Sequence, residues 1–384
     1  MRICVLSSGS FEKNYASYHL MRDLISYFLE DGNAVSLIQK SYTGECVLPA
    51  GLQEQKQLVV HSVLCRQAEK SNIIGRMLAD IQYYLRTVKF IKQEKQCDVF
   101  FLQSNNCPYV PIFLIRLFTG KPVVYNVQDT FPQNAAISGL VSEKSFVYRV
   151  LWWLQRWALK RADGIVTISQ DMKNTLVTAG AQEAKITVAY NWENEERGSQ
   201  IEKEEDGKFH VVYAGNIGMV QNVELIVEAA RLLQDEAHIQ FDIYGSGARK
   251  KLCQEKAEGL NNIRFFEPVA AEKAYSLYRN ADVNLVPLAK GIIYTALPSK
   301  TAACLRCGKP VIFCIDEDSE FAKILRENGI LVTNPTDAGD LASGIVKIHR
   351  ENSCAPYNVA LWDGIFEKSS ALKEYLRRVT MCAQ

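Results

Sequence analysis

The feature that most constrains this chain is an alternation repeated along its length. Short β-branched runs, several of them apolar on both faces, are separated by stretches with helical periodicity. A strand apolar on both faces offers no side to water, so it belongs between two layers. In the first half the runs are 3–6, 34–38, 58–63, 98–102, 123–127, 165–168 and 186–189. In the second half they are 210–213, 240–244, 263–266, 283–286, 311–314 and 331–332. Between them lie stretches such as 222–233, where Val223, Ile226, Val227 and Ala230 recur at helical spacing and define one buried face. This alternation predicts an α/β protein of parallel, doubly wound sheets with helices on both faces.

The 384 residues suit two domains rather than one. The seam falls at 193–208, where seven acidic and three basic residues leave almost nothing apolar to bury. Such a segment is expected to be an exposed linker. The expected domains are 1–192 and 209–365, with a closing helix over 366–384 marked by Leu372, Tyr375, Leu376 and Val379. The net charge of +1 gives no support for nucleic acid as a partner. It hides an asymmetry: 21 Lys and Arg face 15 Asp and Glu over residues 1–192, against 23 and 28 over the rest. A basic first half suits an anionic surface or acceptor.

Eleven cysteines scattered among strand-like segments fit a reducing cytosol. Cys304 and Cys307 form a CxxC without a second pair, which reads as a packed helix rather than a metal or redox site. Met1-Arg2-Ile3-Cys4-Val5-Leu6-Ser7 reads as a first strand, too short for a signal-peptide core. No run reaches the ~18 apolar residues of a membrane span. The stretch 146–162 mixes Trp152, Trp153 and Trp157 with Arg149, Arg156, Lys160 and Arg161. As a helix it is expected to bury Val147, Val150, Leu151, Leu154 and Ala158, leaving Tyr148 and Trp152 near a basic edge. That pattern suits peripheral contact with the inner face of the cell membrane; the other reading is an amphipathic helix packed on its sheet.

Two doubly wound domains place a ligand in the cleft outside the carboxyl ends of their strands, where helix N-termini suit a pyrophosphate. In the second half, Gly215-Asn216-Ile217-Gly218 and Gly245-Ser246-Gly247 each follow a strand, as phosphate-approaching turns or as plain βα turns. Neither completes GxGxxG with its downstream acid, so an ordinary dinucleotide site is disfavoured. Pro298-Ser299-Lys300 precedes a helix over 301–307. Ser299 is expected to cap that helix and Lys300 to sit in its first turn. A cation there is unfavourable unless an anion lies between it and the dipole; the alternative is a surface lysine that turns away. In the first half, Gly9-Ser10 follows the first strand where a helix is expected to begin. Asp129, in Val127-Gln128-Asp129-Thr130-Phe131-Pro132, follows another strand, as a cleft carboxylate or a turn former. His19 reads as a surface or packed histidine. No Ser/His/Asp triad or metal-ligand cluster is evident, so no metal and no cofactor are expected.

These residues together resemble family 4 of the retaining glycosyltransferases, in the branch that builds O-antigen and capsule repeats. The resemblance covers nearly the whole chain. It rests on the 127–132 segment, Lys185-Ile186-Thr187-Val188 leading to Asn191, Tyr213-Ala214-Gly215-Asn216-Ile217-Gly218, Gly245-Ser246-Gly247, Phe265-Phe266-Glu267-Pro268-Val269, Ala281-Asp282-Val283, and Pro298-Ser299-Lys300 with Gly308-Lys309-Pro310. It implies a GT-B fold, two Rossmann-like domains facing across a cleft, whose last helix crosses back to the N-terminal domain. It further implies a nucleotide-sugar donor, UDP-linked, on the C-terminal domain and a glycan or polyprenyl-pyrophosphate-linked acceptor on the N-terminal domain, near Gly9 and Ser10. Gly215, Gly218, Ser299 and Lys300 would hold the diphosphate, Gly245 would flank the nucleoside, and Val269 would touch the base through its backbone. The neighbouring Gly247 and Pro298 belong to the same donor site. Asp129 would stand near the transferred sugar. The sequence departs from the family where a Glu-x7-Glu motif is common, with Thr295 and Ala303 there, and where an Arg/Lys pair is frequent, with Asn216 and Gln221 there. Two rivals share the fold: a nucleotide-sugar epimerase and a non-catalytic partner subunit.

Overall fold

The structure, a computed structural model, describes residues 1–12, 18–65, 73–193, 201–202, 204–351 and 361–384. The chain divides into two compact units: Met1–Tyr190 with Lys368–Gln384, and Asn191–Glu367.

The first unit runs β1 (Arg2–Leu6), α1 (Tyr18–Glu30), β2 (Ala34–Ser41), β3 (Leu58–Leu64), α2 (Ile73–Gln93), β4 (Val99–Leu102), α3 (Tyr109–Thr119), β5 (Val123–Val127), α4 (Gln133–Ile137), α5 (Phe146–Arg161), β6 (Gly164–Thr167), α6 (Gln170–Thr178) and β7 (Ile186–Val188). Its strands pair in parallel in the order β3-β2-β1-β4-β5-β6-β7. The strand order reverses at β1. Right-handed crossovers therefore put the helices before and after the reversal on opposite faces of the sheet. The contacts agree: α2 packs beside α3, and α3 beside α5. The other face holds α1 and the last helix of the chain, α13 (Lys368–Ala383), which touch each other. Leu372, Tyr375 and Val379 are the buried stripe of α13, and it packs against β4, β5, β6 and β7. The Tyr375 hydroxyl donates to Asn126 Oδ1 at 3.1 Å, and Arg378 Nε donates to Thr187 Oγ1 at 2.8 Å.

The second unit runs β8 (Phe209–Ala214), α7 (Val223–Leu232), β9 (Ile239–Tyr244), α8 (Lys250–Lys256), β10 (Ile263–Phe266), α9 (Ala271–Asn280), β11 (Val283–Pro287), α10 (Thr301–Arg306), β12 (Val311–Cys314), α11 (Glu320–Glu327), β13 (Leu331–Thr333) and α12 (Ala338–Glu351). The sheet is again parallel, in the order β10-β9-β8-β11-β12-β13. Its core gathers Val211, Tyr213, Phe241, Val283 and Ile312 from the strands with Ile226 and Ile345 from the helices. Val223, Ile226, Val227 and Ala230 of α7 are all buried, as their spacing requires. Each apolar run in the sequence forms a strand of one of these two sheets.

Two expectations differ from the structure. The first helix described begins at Tyr18, so Gly9 and Ser10 lie in a loop instead of at a helix start. Helix α5 is rotated from the expected face. It buries Leu151, Gln155, Ala158 and Leu159, while Val147 and Val150 face solvent and Leu154 is half-buried. The polar Gln155 sits inward because its side chain hydrogen-bonds Tyr125, a partner no periodicity reveals. Residues 194–200 and 203 of the acidic stretch lie outside the described residues. Among its described residues, 202 and 204–208 are exposed, and two of its acids meet cations of the second unit. Glu193 pairs with Arg306 at 3.1 Å, and Glu204 accepts from both Arg264 Nη atoms at 3.1 and 2.8 Å.

Candidate functional site

All strands of the second sheet run parallel, so their carboxyl ends share one edge. The register sets the last residues of β8 and β9 level, Ala214 opposite Tyr244. Two loops leave from there and lock together through their backbones. The Gly215 N–H donates to the Tyr244 carbonyl, the Ile217 N–H to the Ser246 carbonyl, and the Arg249 N–H to the Ile217 carbonyl, each at 2.9 Å. Glycine is required at this junction. A Cβ on Gly245 would stand 1.9 Å from the Gly215 carbonyl oxygen. Gly247, at φ 155°, would bring one 2.3 Å from the Ile217 oxygen. The structure thus brings Gly215, Gly218, Gly245 and Gly247 together in one interlocked pair of turns. Within it, the Tyr213 hydroxyl donates to the Asn216 carbonyl at 2.6 Å, and Asn216 Nδ2 to Gln221 Oε1 at 3.1 Å. The neutral pair Asn216–Gln221 therefore satisfies itself. Helix α7 opens just beyond, and no side chain caps its N-terminus; Asn222 gives its amide to the Pro335 carbonyl instead.

Lys300 is the charged group of this edge. The Ser299 cap predicted from sequence does not form. Ser299 is exposed, Lys300 itself occupies the N-cap position of α10 without a side-chain cap, and the helix turn is closed by the Thr301 N–H on the Pro298 carbonyl at 3.0 Å. The helix therefore begins a residue later than the Ser pattern suggests. Lys300 does not turn away to solvent. Its Nζ is buried without a hydrogen-bond partner and lies 3.6 Å from the centroid of the Tyr213 ring. A Cβ on Gly215 would be 2.9 Å from that Nζ. Burial pulls the Lys300 pKa from 10.5 to about 7. The ring face offsets part of the lost hydration of the ammonium, and among the described residues no carboxylate pairs with it. Tyr213 belongs to the segment that carries the resemblance, but its place beneath the Lys300 ammonium carried no sequence signal, because a tyrosine near the end of a buried strand reads as core.

Two of the neighbouring cations are engaged elsewhere. Arg249 pairs with Glu224, and Lys250 with Glu267 at 2.8 Å; Lys290 is exposed. Val269 is half-buried in the loop after β10, the strand beside β9. Pro298 is half-buried, Thr295 is buried with its hydroxyl on the Ile292 carbonyl at 2.9 Å, and Ala303 is half-buried in α10. Cys304 and Cys307 are buried, with the Cys307 thiol donating to the Cys304 carbonyl at 3.0 Å. Glu204, Asp206 and His210 bring ligand-type atoms within 4.8 Å of one another. That cluster sits at the start of β8, the opposite end of the strand from the glycine turns. Its members already bind each other and Arg264: the His210 ring nitrogens lie 2.7 Å from Asp242 and 2.9 Å from Asp206.

In the first unit, Gly9 and Ser10 shape the loop after β1. The Gly9 N–H donates to Ser7 Oγ at 3.1 Å and the Glu12 N–H to Ser10 Oγ at 3.2 Å. Glu12, which carried no sequence signal, ties this loop to the end of β2 by accepting from Ser41 and from the Tyr42 N–H at 2.8 Å. Desolvation works against its charge, but these hydrogen bonds outweigh it and lower its pKa. Asp129 lies two residues beyond β5 and is exposed. Protein packed around its carboxyl raises its pKa, and the Arg76 charge on α2 opposes the rise. His19 is half-buried on α1.

Known proteins of the same kind exist. A family model described as Glycosyltransferase Family 4 matches residues 19–197, and one described as Glycosyl transferases group 1 matches 208–351. The chain is 27% identical over 278 residues to the probable glycosyltransferase WbjE of Pseudomonas aeruginosa, a match covering 69% of each chain. It is 28% identical over 249 residues to the putative colanic acid biosynthesis glycosyl transferase WcaI of Escherichia coli (strain K12), covering 60% of this chain and 61% of the relative. Its fold is similar to the crystal structure of Anabaena HepE in complex with UDP, with a TM-score of 0.69 at 14% identity, covering 99% of this chain and 100% of that one.

Proposed function

Because this chain belongs to glycosyltransferase family 4 and is a glycosyltransferase of the GT-B fold, we propose that its second unit binds a UDP-linked sugar and that Lys300 holds the diphosphate as the sugar departs. The observation that carries this reading is the buried, unpartnered Lys300 Nζ against the Gly215 turn. A buried ammonium without an acceptor is costly unless an anion completes it. The glycine turns let a diphosphate come close to backbone N–H groups. HepE, solved with UDP, supports the choice of nucleotide.

In this reading the glycosidic bond to the β-phosphate breaks and negative charge grows on the leaving diphosphate. Lys300, which takes up a proton from solvent as the anion arrives, and the amides near Gly218 stabilise that charge. Asn216 and Gln221 add dipoles but no charge, so Lys300 carries more of the neutralisation, or another base such as Lys290 or Arg249 assists. An acceptor hydroxyl attacks the anomeric carbon on the face the nucleotide leaves, which retains configuration. The acceptor, a glycan or a polyprenyl-pyrophosphate-linked sugar of a surface polysaccharide, belongs to the first unit, with Asp129 beside the reacting hydroxyl and Gly9 and Ser10 lining its approach. The relative WcaI, a colanic acid biosynthesis glycosyl transferase by name, supports that acceptor class. No described helix is long and apolar enough to cross a membrane, and contact with the membrane is peripheral, through 146–162.

The test is a melting-temperature panel of UDP, GDP, ADP and CMP against wild type and Lys300→Ala. UDP alone is expected to stabilise the wild type, and Lys300→Ala is expected to lose that gain and transfer. Stabilisation by no nucleotide would favour a non-catalytic subunit. Isomerised sugar from UDP-GlcNAc without acceptor would favour an epimerase.

A further inference from the structure

We propose that the outer face of α2, α3 and α5 together docks on an anionic phospholipid bilayer, a wider surface than α5 alone; it deepens the membrane reading given above and rests on it. Each of these helices buries one side against the sheet or its neighbours, and each also carries large apolar residues on the side turned to water. The spacing is what one outward stripe requires. Leu78 and Leu85 on α2 are two turns apart, Phe113 and Leu117 on α3 one turn, and Phe146, Val150 and Trp153 on α5 one turn each. Phe146 is 78% exposed, Trp153 64%, Leu78 61% and Leu117 60%. Scattered single residues of this kind are ordinary. Stripes on three helices that pack side by side, α2 on α3 and α3 on α5, gather these exposed apolar residues on one side of the first unit, and grouped exposed apolar residues mark interaction sites.

Charge decides the occupant. The three helices carry nine Lys and Arg against a single acid, Asp80. Asp80 is buried on Lys40 of β2. None of the three therefore presents a carboxylate to solvent. Cations flanking an apolar stripe, with tryptophan among them, match a headgroup layer bearing negative charge: aliphatic stems and rings enter the interface and the charges stay with the phosphates. A second copy of the chain is a poor occupant, because it would set these cations against each other.

The experiment is flotation of the full chain with vesicles of phosphatidylcholine alone or of phosphatidylcholine mixed with phosphatidylglycerol. The protein is expected to float with the mixed vesicles, much less with the neutral ones, and less as salt rises. Leu85→Glu on α2 and Leu117→Glu on α3 are each expected to reduce flotation as Trp153→Glu does. Lys89→Glu combined with Lys160→Glu leaves the apolar stripes intact and is expected to lower binding to the mixed vesicles by more than about tenfold, since each basic residue near the surface contributes about fivefold. All of these side chains are solvent-exposed, and unchanged melting temperatures verify the fold. No flotation with either vesicle overturns the proposal. So does flotation that survives Leu85→Glu and Leu117→Glu but not Trp153→Glu, which confines the contact to α5. A vesicle-independent dimer abolished by Leu117→Glu also overturns it. UDP stabilisation, measured on the same variants, reports on the second unit and is expected to be unchanged; its failure alone would strike the donor reading and leave this one standing.

Discussion

Replacing Lys300 by methionine tests the electrostatics of the donor site with two effects of opposite sign. Methionine keeps the length and apolar stem of lysine and removes the ammonium. In the protein without ligand, burial draws the Lys300 pKa from 10.5 to about 7. At about 1.4 kcal/mol per tenfold change in proton affinity, full burial would make the charged form cost roughly 5 kcal/mol relative to the unfolded chain. The stem keeps some solvent contact, and screening reduces the recoverable part to the order of 2 kcal/mol. The pKa is depressed on folding, so this cost is fully present below about pH 7 and disappears as the pH rises toward 10.5. Lys300→Met is therefore expected to raise the melting temperature at pH 7 by roughly 4 to 8 °C for a unit of this size, and to leave it unchanged near pH 10.5. With UDP present the order reverses. UDP at one hundred times its dissociation constant adds ~2.7 kcal/mol to the wild type, and the variant is expected to gain almost none of it. Calorimetry at pH 8 in buffers of different ionisation enthalpy should show wild type taking up a proton when UDP binds. A variant that melts like wild type at pH 7, or that keeps its UDP stabilisation, would refute the reasoning.

Gly245→Ala is expected to abolish UDP stabilisation and lower the melting temperature, because its Cβ would collide with the Gly215 carbonyl oxygen at 1.9 Å and push the two turns apart. Asp129→Ala is expected to reduce turnover by tenfold or more while leaving UDP affinity within about twofold, read by initial rates beside a binding titration; a matching loss of UDP binding would contradict its acceptor-side role. His210 sits between Asp242 and Asp206; burial alone would lower its pKa, but the two hydrogen bonds outweigh burial and raise it above 6.5. Its contribution is complete below pH 6.5 and lost as the pH rises through its raised folded pKa. The stability difference between wild type and His210→Gln should accordingly shrink across that range in thermal melts, and a pH-independent difference would sink the assignment.

The strands were legible because a buried parallel strand needs apolar residues on both faces, and the runs at 123–127 and 311–314 admit no other placement. The glycine turns were legible as βα turns, but not as a locked pair, since the bonds joining Ile217 to Ser246 and Arg249 cross between elements far apart in sequence. The position of Lys300 was legible, but its geometry was not. A serine before a helix usually caps it, and here Lys300 took that position, one residue later. Tyr213 was visible as part of a motif, but its role as the ring beneath Nζ was not, since it reads as a core aromatic. The face of α5 was misread because the helix has two apolar stripes, and only Tyr125, on a neighbouring strand, explains why Gln155 and not Val150 turns inward.

The placement of α13 bears on how the protein is made. Residues Lys368–Gln384 complete the first unit, yet the ribosome adds them after the whole of the second. Until then one side of β4–β7 lacks the layer that Leu372, Tyr375 and Val379 supply. The Asn191–Glu367 unit can emerge and fold first, although amino-terminal units ordinarily lead during synthesis. The nascent amino-terminal half must wait with an uncovered sheet, so shortening the chain by its final helix should harm solubility out of proportion to the few residues removed.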